Sequence, residues 1–309
     1  MFNKINKFLI LSFLTLTLSS TSNAASLPDG FPKCYNSDVR TSDFCPMSSK
    51  LGHKIFLVDF TTIWEDPQVK WVKGRIFGDT VVENTPPYHK ISYLKIDNKP
   101  PHSQKFVYSK CRFKKGTESQ KYPGEKVNKK CEGIDIVKNI FKTWSKQIKL
   151  VEENFFPKNE KADQSLIYEY IIHILRENSA DFGSDYKERE LVIVSDLMQF
   201  SERVNFFKHC KSAAMRLKPK KKQKADNCRS FAELLKKEKS FANYMKATKP
   251  SAEMVKNLKV KILFLNHSKE HGKDLYMTLE KLWLDLFAYM GIDNVDIVPQ
   301  IDYGKISEI

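Results

Sequence analysis

The chain has no C-x-x-C pair, no paired histidines at zinc-ligand spacing, no glycine-rich phosphate loop and no Gly-x-Ser-x-Gly elbow. The first two absences argue against a zinc centre. The third removes the backbone cradle that nucleotide-binding α/β folds place around phosphates, and glycine is scarce in any case, at 11 of 309 residues. The fourth removes the strained turn on which α/β-hydrolases carry their serine. Beyond the first residues, no stretch is long and apolar enough to cross a membrane. Repeats and an obvious linker are also missing, which favours one domain over several.

The N-terminus carries a patterned signal. Lys4 and Lys7 precede an apolar run from Phe8 to Leu18, and a small polar stretch from Ser19 to Asn23 follows. That order is the layout of a secretory signal peptide, and Ser22 and Ala24 have the sizes wanted just before a cleavage point after Ala24. The apolar run falls short of the roughly twenty residues that span a bilayer, so a retained anchor is disfavoured. Residues 1–24 are therefore expected to be removed, leaving a periplasmic or secreted protein of a bacterial cell envelope. No cysteine stands at the cut, which argues against an acylated lipoprotein.

All six cysteines follow that point: Cys34, Cys45, Cys111, Cys131, Cys210 and Cys228. In an oxidising compartment they are expected to form disulfides rather than a metal site. Six cysteines allow fifteen pairings, and sequence alone does not choose among them. Their grouping into neighbours suggests Cys34–Cys45, Cys111–Cys131 and Cys210–Cys228, each closing a polar loop. Residues 25–53 then read as a disulfide-stapled N-terminal extension.

The formal net charge is +15. Such a balance suits acidic partners or anionic surfaces, although it also aids solubility. Its densest expression is Lys218, Lys220, Lys221, Lys222 and Lys224, a candidate contact for polyanions. No aromatic residue is interleaved there to stack on bases, and a basic run of this kind is commonly a solvated loop.

Further along, Lys54–Asp59 is a nearly continuous apolar run ending in a carboxylate, as expected of a strand buried on both faces. Trp64, Val69, Val72, Ile76 and Phe77 follow at helical spacing, with Pro67 suited to the first turn. Lys90–Ile96 and Lys105–Lys110 flank a polar turn and read as a hairpin. Helices are expected over 134–154, from about Ser165, over 230–246 and over 274–290, the last closed by Gly291 as a left-handed cap. Glu190–Val194, Leu258–Leu265 and Val295–Val298 read as further strands. His173 falls within the apolar helix after Ser165 and is read as a satisfied, semi-buried histidine; His267 follows a strand end and could line a pocket.

Strands separated by helices of this length imply an α/β fold: a Rossmann-like, mostly parallel central sheet with one antiparallel edge hairpin and helices on both faces. Ligands of such sheets sit beyond the carboxyl ends of the strands. Two strands end in Asp at that edge, Asp59 and Asp196. With Thr61 and Ser165 they form a set of hard oxygen donors suited to Mg²⁺ or Ca²⁺. The plainer reading is that Asp59, Asp196 and Ser165 cap the helices that follow them.

The element order, with Val58-Asp59-Phe60-Thr61, the Ser165-Leu166-Ile167 helix start and Val194-Ser195-Asp196, resembles the von Willebrand factor A-like domain across residues 54–301. The resemblance implies a domain over 54–309 and a metal-ion-dependent adhesion site, with Asp59 and Thr61 holding the metal from the first loop, Ser165 standing where the family usually has Thr, and Asp196 as the distal carboxylate. It also implies that an acidic group of a partner completes the coordination. The family's first motif is Asp-x-Ser-x-Ser; here Ile63 occupies the last hydroxyl position, Thr62 is one residue off, and Leu197 follows the distal Asp where Gly is frequent. The function this supports is non-catalytic binding of a protein partner in the envelope. The alternative is a basic exported protein that binds polyanions, DNA in transfer or uptake or a surface polysaccharide. A hydrolase ranks below both, since no set of nucleophile, base and oxyanion donors is evident.

Overall fold

The computed structural model describes residues 43–46, 50–97, 99–115, 134–156, 162–177, 180–206, 229–265 and 273–300. The signal-like residues 1–24, Cys34, Cys131, Cys210, Cys228, the lysines at 218, 220, 221, 222 and 224, and His267 lie outside them.

Six strands form one sheet: β1 (Gly52–Asp59), β2 (Lys90–Ile96), β3 (Tyr108–Cys111), β4 (Glu188–Ser195), β5 (Leu258–Phe264) and β6 (Val295–Pro299). Their spatial order is β3-β2-β1-β4-β5-β6. β1 pairs in parallel with both β2 and β4, β4 with β5 and β5 with β6, while β3 alone runs antiparallel, against β2. This is the doubly wound α/β architecture expected, with the chain leaving β1 in the middle and building outwards in both directions.

The helices are α1 (Asp66–Ile76), α2 (Gly78–Asn84), α3 (Ile134–Phe155), α4 (Ile167–Arg176), α5 (Phe231–Lys237), α6 (Lys239–Thr248), α7 (Ala252–Val255) and α8 (Lys273–Met290). They fall into two layers because strand side chains alternate between faces. Ile55, Leu57, Ile193 and Ile262 pack on Tyr168, Ile171, Trp283 and Leu286 of α4 and α8. Phe56, Val58, Val192 and Val194 pack on Trp71, Val72, Ile140 and Trp144 of α1 and α3. Both faces of β1 and β4 are therefore dry, which is why their sequences read as unbroken apolar runs.

Local chemistry sets the boundaries. Pro67 lies in the first turn of α1, and a reciprocal capping box joins Glu65 to Gln68. Gly291 has φ +84° and lets Ile292 N–H reach the carbonyl of Phe287 at 2.9 Å, closing α8 as expected. The helix expected over 230–246 is two: Ser230 and Glu233 cap α5, and the chain breaks at Glu238 before α6. The second strand of the hairpin is shorter than expected. Pro101–Ser103 winds into a 3-10 turn, Val107 N–H reaches Tyr93, and regular pairing starts only at Tyr108.

The cysteine pairing by neighbours is corrected. Cys45 bonds to Cys111, across 66 residues of sequence, which overturns both Cys34–Cys45 and Cys111–Cys131. The reason is topological. β3 returns antiparallel along the outer flank of β2, and its last residue meets the incoming segment, where Cys111 N–H donates to the Asp43 carbonyl at 2.7 Å. The bond thus ties the extension to the sheet edge instead of closing a surface loop. Replacing both cysteines by Ala is expected to lower unfolding stability by about 4 kcal/mol, from loop-closure entropy across that span. Urea unfolding of the double variant checks this, and an unmoved midpoint at equal slope would contradict the long-range role.

Candidate functional site

β1 and β4 are adjacent and parallel, with Val58 opposite Val194, so the residues that end them emerge side by side. Asp59 is the last residue of β1, Ser195 is the last of β4, and Asp196 follows it directly. All three are buried: Asp59 is 1% exposed, Ser195 0% and Asp196 3%.

Asp59 is saturated with donors. Its Oδ1 accepts Thr61 N–H at 3.0 Å and Thr61 Oγ1–H at 2.6 Å. Its Oδ2 accepts Ser195 Oγ–H at 2.8 Å and Ser165 Oγ–H at 3.2 Å. Four bonds match the acceptor capacity of an ionised carboxylate. Ser165 arrives from the segment before α4, which is fastened by reciprocal backbone bonds with Phe200 at 2.9 and 3.0 Å. Three of the four residues singled out by sequence, Asp59, Thr61 and Ser165, are thus joined by direct hydrogen bonds.

Asp196 completes the group through charge. Its Oδ1 accepts Met198 N–H at 3.0 Å, and the Thr62 hydroxyl is also bonded to it. Burial raises its pKa first, and the neighbouring Asp59 charge raises it further, to about 7. Burial also pushes Asp59 up, opposed by the bonds from Thr61, Ser195 and Ser165.

The loop carrying Asp196 is held from several sides. Leu197 adopts φ +60°, a left-handed conformation costly for a side chain of its kind, and is fully buried. Its carbonyl accepts Trp283 Nε1–H from α8 at 3.0 Å, and its N–H donates to Ser195 Oγ at 2.8 Å. Gln199 Oε1 accepts Tyr168 N–H at 2.8 Å, and Ser201 Oγ–H donates to Glu169 at 2.6 Å, anchoring the loop on the first turns of α4.

The helix-capping alternative fails for each residue. Glu65 caps α1, Leu166 stands at the cap of α4 without a side-chain bond, and both aspartates close two-residue turns on their own loops. Sequence reasoning missed Ser195 as a donor to Asp59 and Thr62 as a partner of Asp196. The signal for Ser195 was present: a hydroxyl ends the otherwise apolar run Leu191-Val192-Ile193-Val194. Ile63, at the last hydroxyl position of the motif, is 53% exposed, and Phe200 is 48% exposed. His173 is half-buried on α4.

The donor set suits a hard cation. When Thr61 and Ser165 spend their protons on Asp59, their oxygens keep lone pairs, and Asp196 adds a second carboxylate. Among the described residues no cluster of three or more His, Cys, Asp or Glu occurs, so any metal here would lean on hydroxyls. A cleft of about 940 Å³ opens at the amino ends of β4 and β5, the edge opposite these carboxylates.

No family model and no curated protein matches the chain. A solved structure of a von Willebrand factor type A protein from Catenulispora acidiphila is similar to it at 7% identity and a TM-score of 0.35, over 84% of this chain and 41% of that one. The chain therefore spans less than half the length of that protein. At that score the match adds no weight of its own, and the von Willebrand factor A-like reading of the fold rests on the strand order and the one antiparallel edge strand.

The paired carboxylates set a pH dependence. Asp196 ionises near pH 4 in the unfolded chain but at about 7 in the folded one. Between those values the folded protein holds a proton that the unfolded chain has released, so its contribution to stability falls as pH rises through this window. In chelator, Asp196→Asn is expected to flatten that slope and to raise stability at pH 8 by roughly 1–3 kcal/mol. Urea unfolding at pH 5 and pH 8 checks it; parallel pH profiles for the two proteins would contradict it.

Proposed function

We propose that this chain is an exported, non-catalytic binding protein of the cell envelope that engages a protein partner at the carboxyl edge of its sheet, through Mg²⁺ or Ca²⁺ held at Asp59, Thr61, Ser165 and Asp196. The observation that carries this reading is the burial of two adjacent carboxylates at the ends of neighbouring parallel strands, Asp59 at 1% and Asp196 at 3% exposure, with the charge of Asp59 raising the pKa of Asp196. Two like charges in a dry site are costly, and a divalent cation offsets that cost. Asp59 would orient the Thr61 and Ser165 oxygens, and Asp196 would contribute charge directly. A bound cation would supply a positive centre able to take an acidic group of the partner. Ile63 and Phe200 stand exposed on the loops that carry these residues and offer an apolar contact beside it.

Other observations support the reading. The site hydroxyls donate to a carboxylate and not to a histidine, so they are not arranged as activated nucleophiles. The signal-like N-terminus and the Cys45–Cys111 bond fit an oxidising compartment outside the cytoplasm. Among the described residues, no helix is long and apolar enough to cross a membrane.

Calorimetric titration tests the cation directly. Mg²⁺ or Ca²⁺ is expected to give saturable heat with the wild-type chain and none with Asp196→Ala. The same ion is expected to raise the Tm more at pH 8 than at pH 5, because it relieves repulsion present only when both carboxylates are ionised. Absence of heat from both ions, with a Tm insensitive to them, would remove the metal from the reading.

A further inference from the structure

Away from the sheet edge, α3 presents two unlike faces. Val137, Ile140, Trp144, Ile148 and Phe155 are buried against the sheet. Lys138, Lys142, Lys146 and Lys149 are all exposed. At about 100° per residue, the four lysines share an arc of about 80° opposite the buried stripe. From first to last they span about 16 Å, with about 6 Å between successive helical turns. Residues 136–151 include no Asp or Glu.

The ridge combines aligned like charge with a lack of acidic residues along the same stretch of helix. Lys50, Lys54, Lys90, Lys115 and Lys261 each have a carboxylate partner. None of the four α3 lysines is in an ion pair among the described residues. Four like charges at one-turn spacing repel one another, a cost that a solvated helix face reduces by interleaving acids and that this stretch leaves in place.

The shape and composition of the ridge select its partner. None of the clefts of about 940, 320 and 90 Å³ among the described residues is lined by α3, so they give a small ligand no seat on the ridge. A single file of cations fits a linear polymer better than a plane of lipid headgroups. Charges about 6 Å apart are sparse beside duplex DNA, with one charge per about 1.7 Å. The ridge carries no arginine for bidentate phosphate contacts, and Trp144 is turned into the core, so bases have no platform. Exposed Asn139 and half-buried Ser145, set beside the lysines, offer hydrogen-bonding groups to sugar hydroxyls.

We propose that the lysine ridge of α3 is a docking surface for an acidic polysaccharide, a linear polymer bearing carboxylates on its sugar rings. It is independent of the sheet-edge site.

Polygalacturonate is the probe, titrated against the full chain at low salt. The wild-type protein is expected to bind saturably, with affinity falling as salt rises. Changing Lys138, Lys142, Lys146 and Lys149 to Gln is expected to weaken binding at least roughly ten-fold and to flatten the salt dependence. These side chains are exposed, and an unchanged circular dichroism spectrum verifies folding. A control with Lys236, Lys239, Lys246 and Lys256 changed to Gln removes equal charge elsewhere and is expected to bind like wild type. No saturable binding, or equal loss in both variants, would overturn the proposal. Tighter binding of a single-stranded DNA oligonucleotide or of anionic phospholipid vesicles through the same four lysines would overturn the choice of partner.

Discussion

A carboxylate at the dry end of a central strand has to be satisfied, and much of this molecule's upper edge is arranged around doing so for Asp59. β1 is covered on both faces, so water cannot solvate the side chain that ends it. Four donors do so instead, from three separate segments: Thr61 in its own loop, Ser195 at the end of β4, and Ser165 ahead of α4. Leaving such a group unpaired costs several kcal/mol. The bonds to Ser165 and Ser195 therefore fix how the β1 loop, the β4 end and the entry to α4 sit relative to one another. Asp196 is brought close by the same construction, and its raised pKa follows from burial and from the charge already placed beside it.

That arrangement leaves a tension that bears on function. One buried carboxylate has its full complement of donors, while its neighbour must ionise against it. Rigid supports hold the second one there: the left-handed Leu197, the Trp283 bond from α8 and the Gln199 and Ser201 contacts with α4. Held carboxylates and oriented hydroxyl oxygens are what a hard cation needs, and the exposed Ile63 and Phe200 place apolar surface next to it. Ile63 stands exposed on the β1 loop, while Thr62 turns towards Asp196.

The lysine ridge of α3 belongs to the opposite logic. There charge is fully solvated and the helix is held by its buried stripe of Val137, Ile140, Trp144 and Ile148, so the basic face is free to serve a partner without bearing on the fold. The sheet edge and the helix ridge thus divide the molecule between a desolvated acidic site and a solvated basic one.

Periodicity made the layers legible before any coordinates. Unbroken apolar runs in β1 and β4 mark burial on both faces, the 3.6-residue stripes of α3 and α8 mark helices on a core, and Gly291 marks where α8 ends, because each of these depends on local chain geometry. The pairing of Asp59 with Asp196 was also readable, since two strands of a parallel sheet that end in Asp deliver them to one edge. Only the tertiary structure decided the rest. Cys45 meets Cys111 because β3 folds back along β2, a contact 66 residues apart that neighbouring spacing could not foresee. Ser195 and Thr62 entered the site because strand register and loop direction are set by long-range packing, not by the residues themselves.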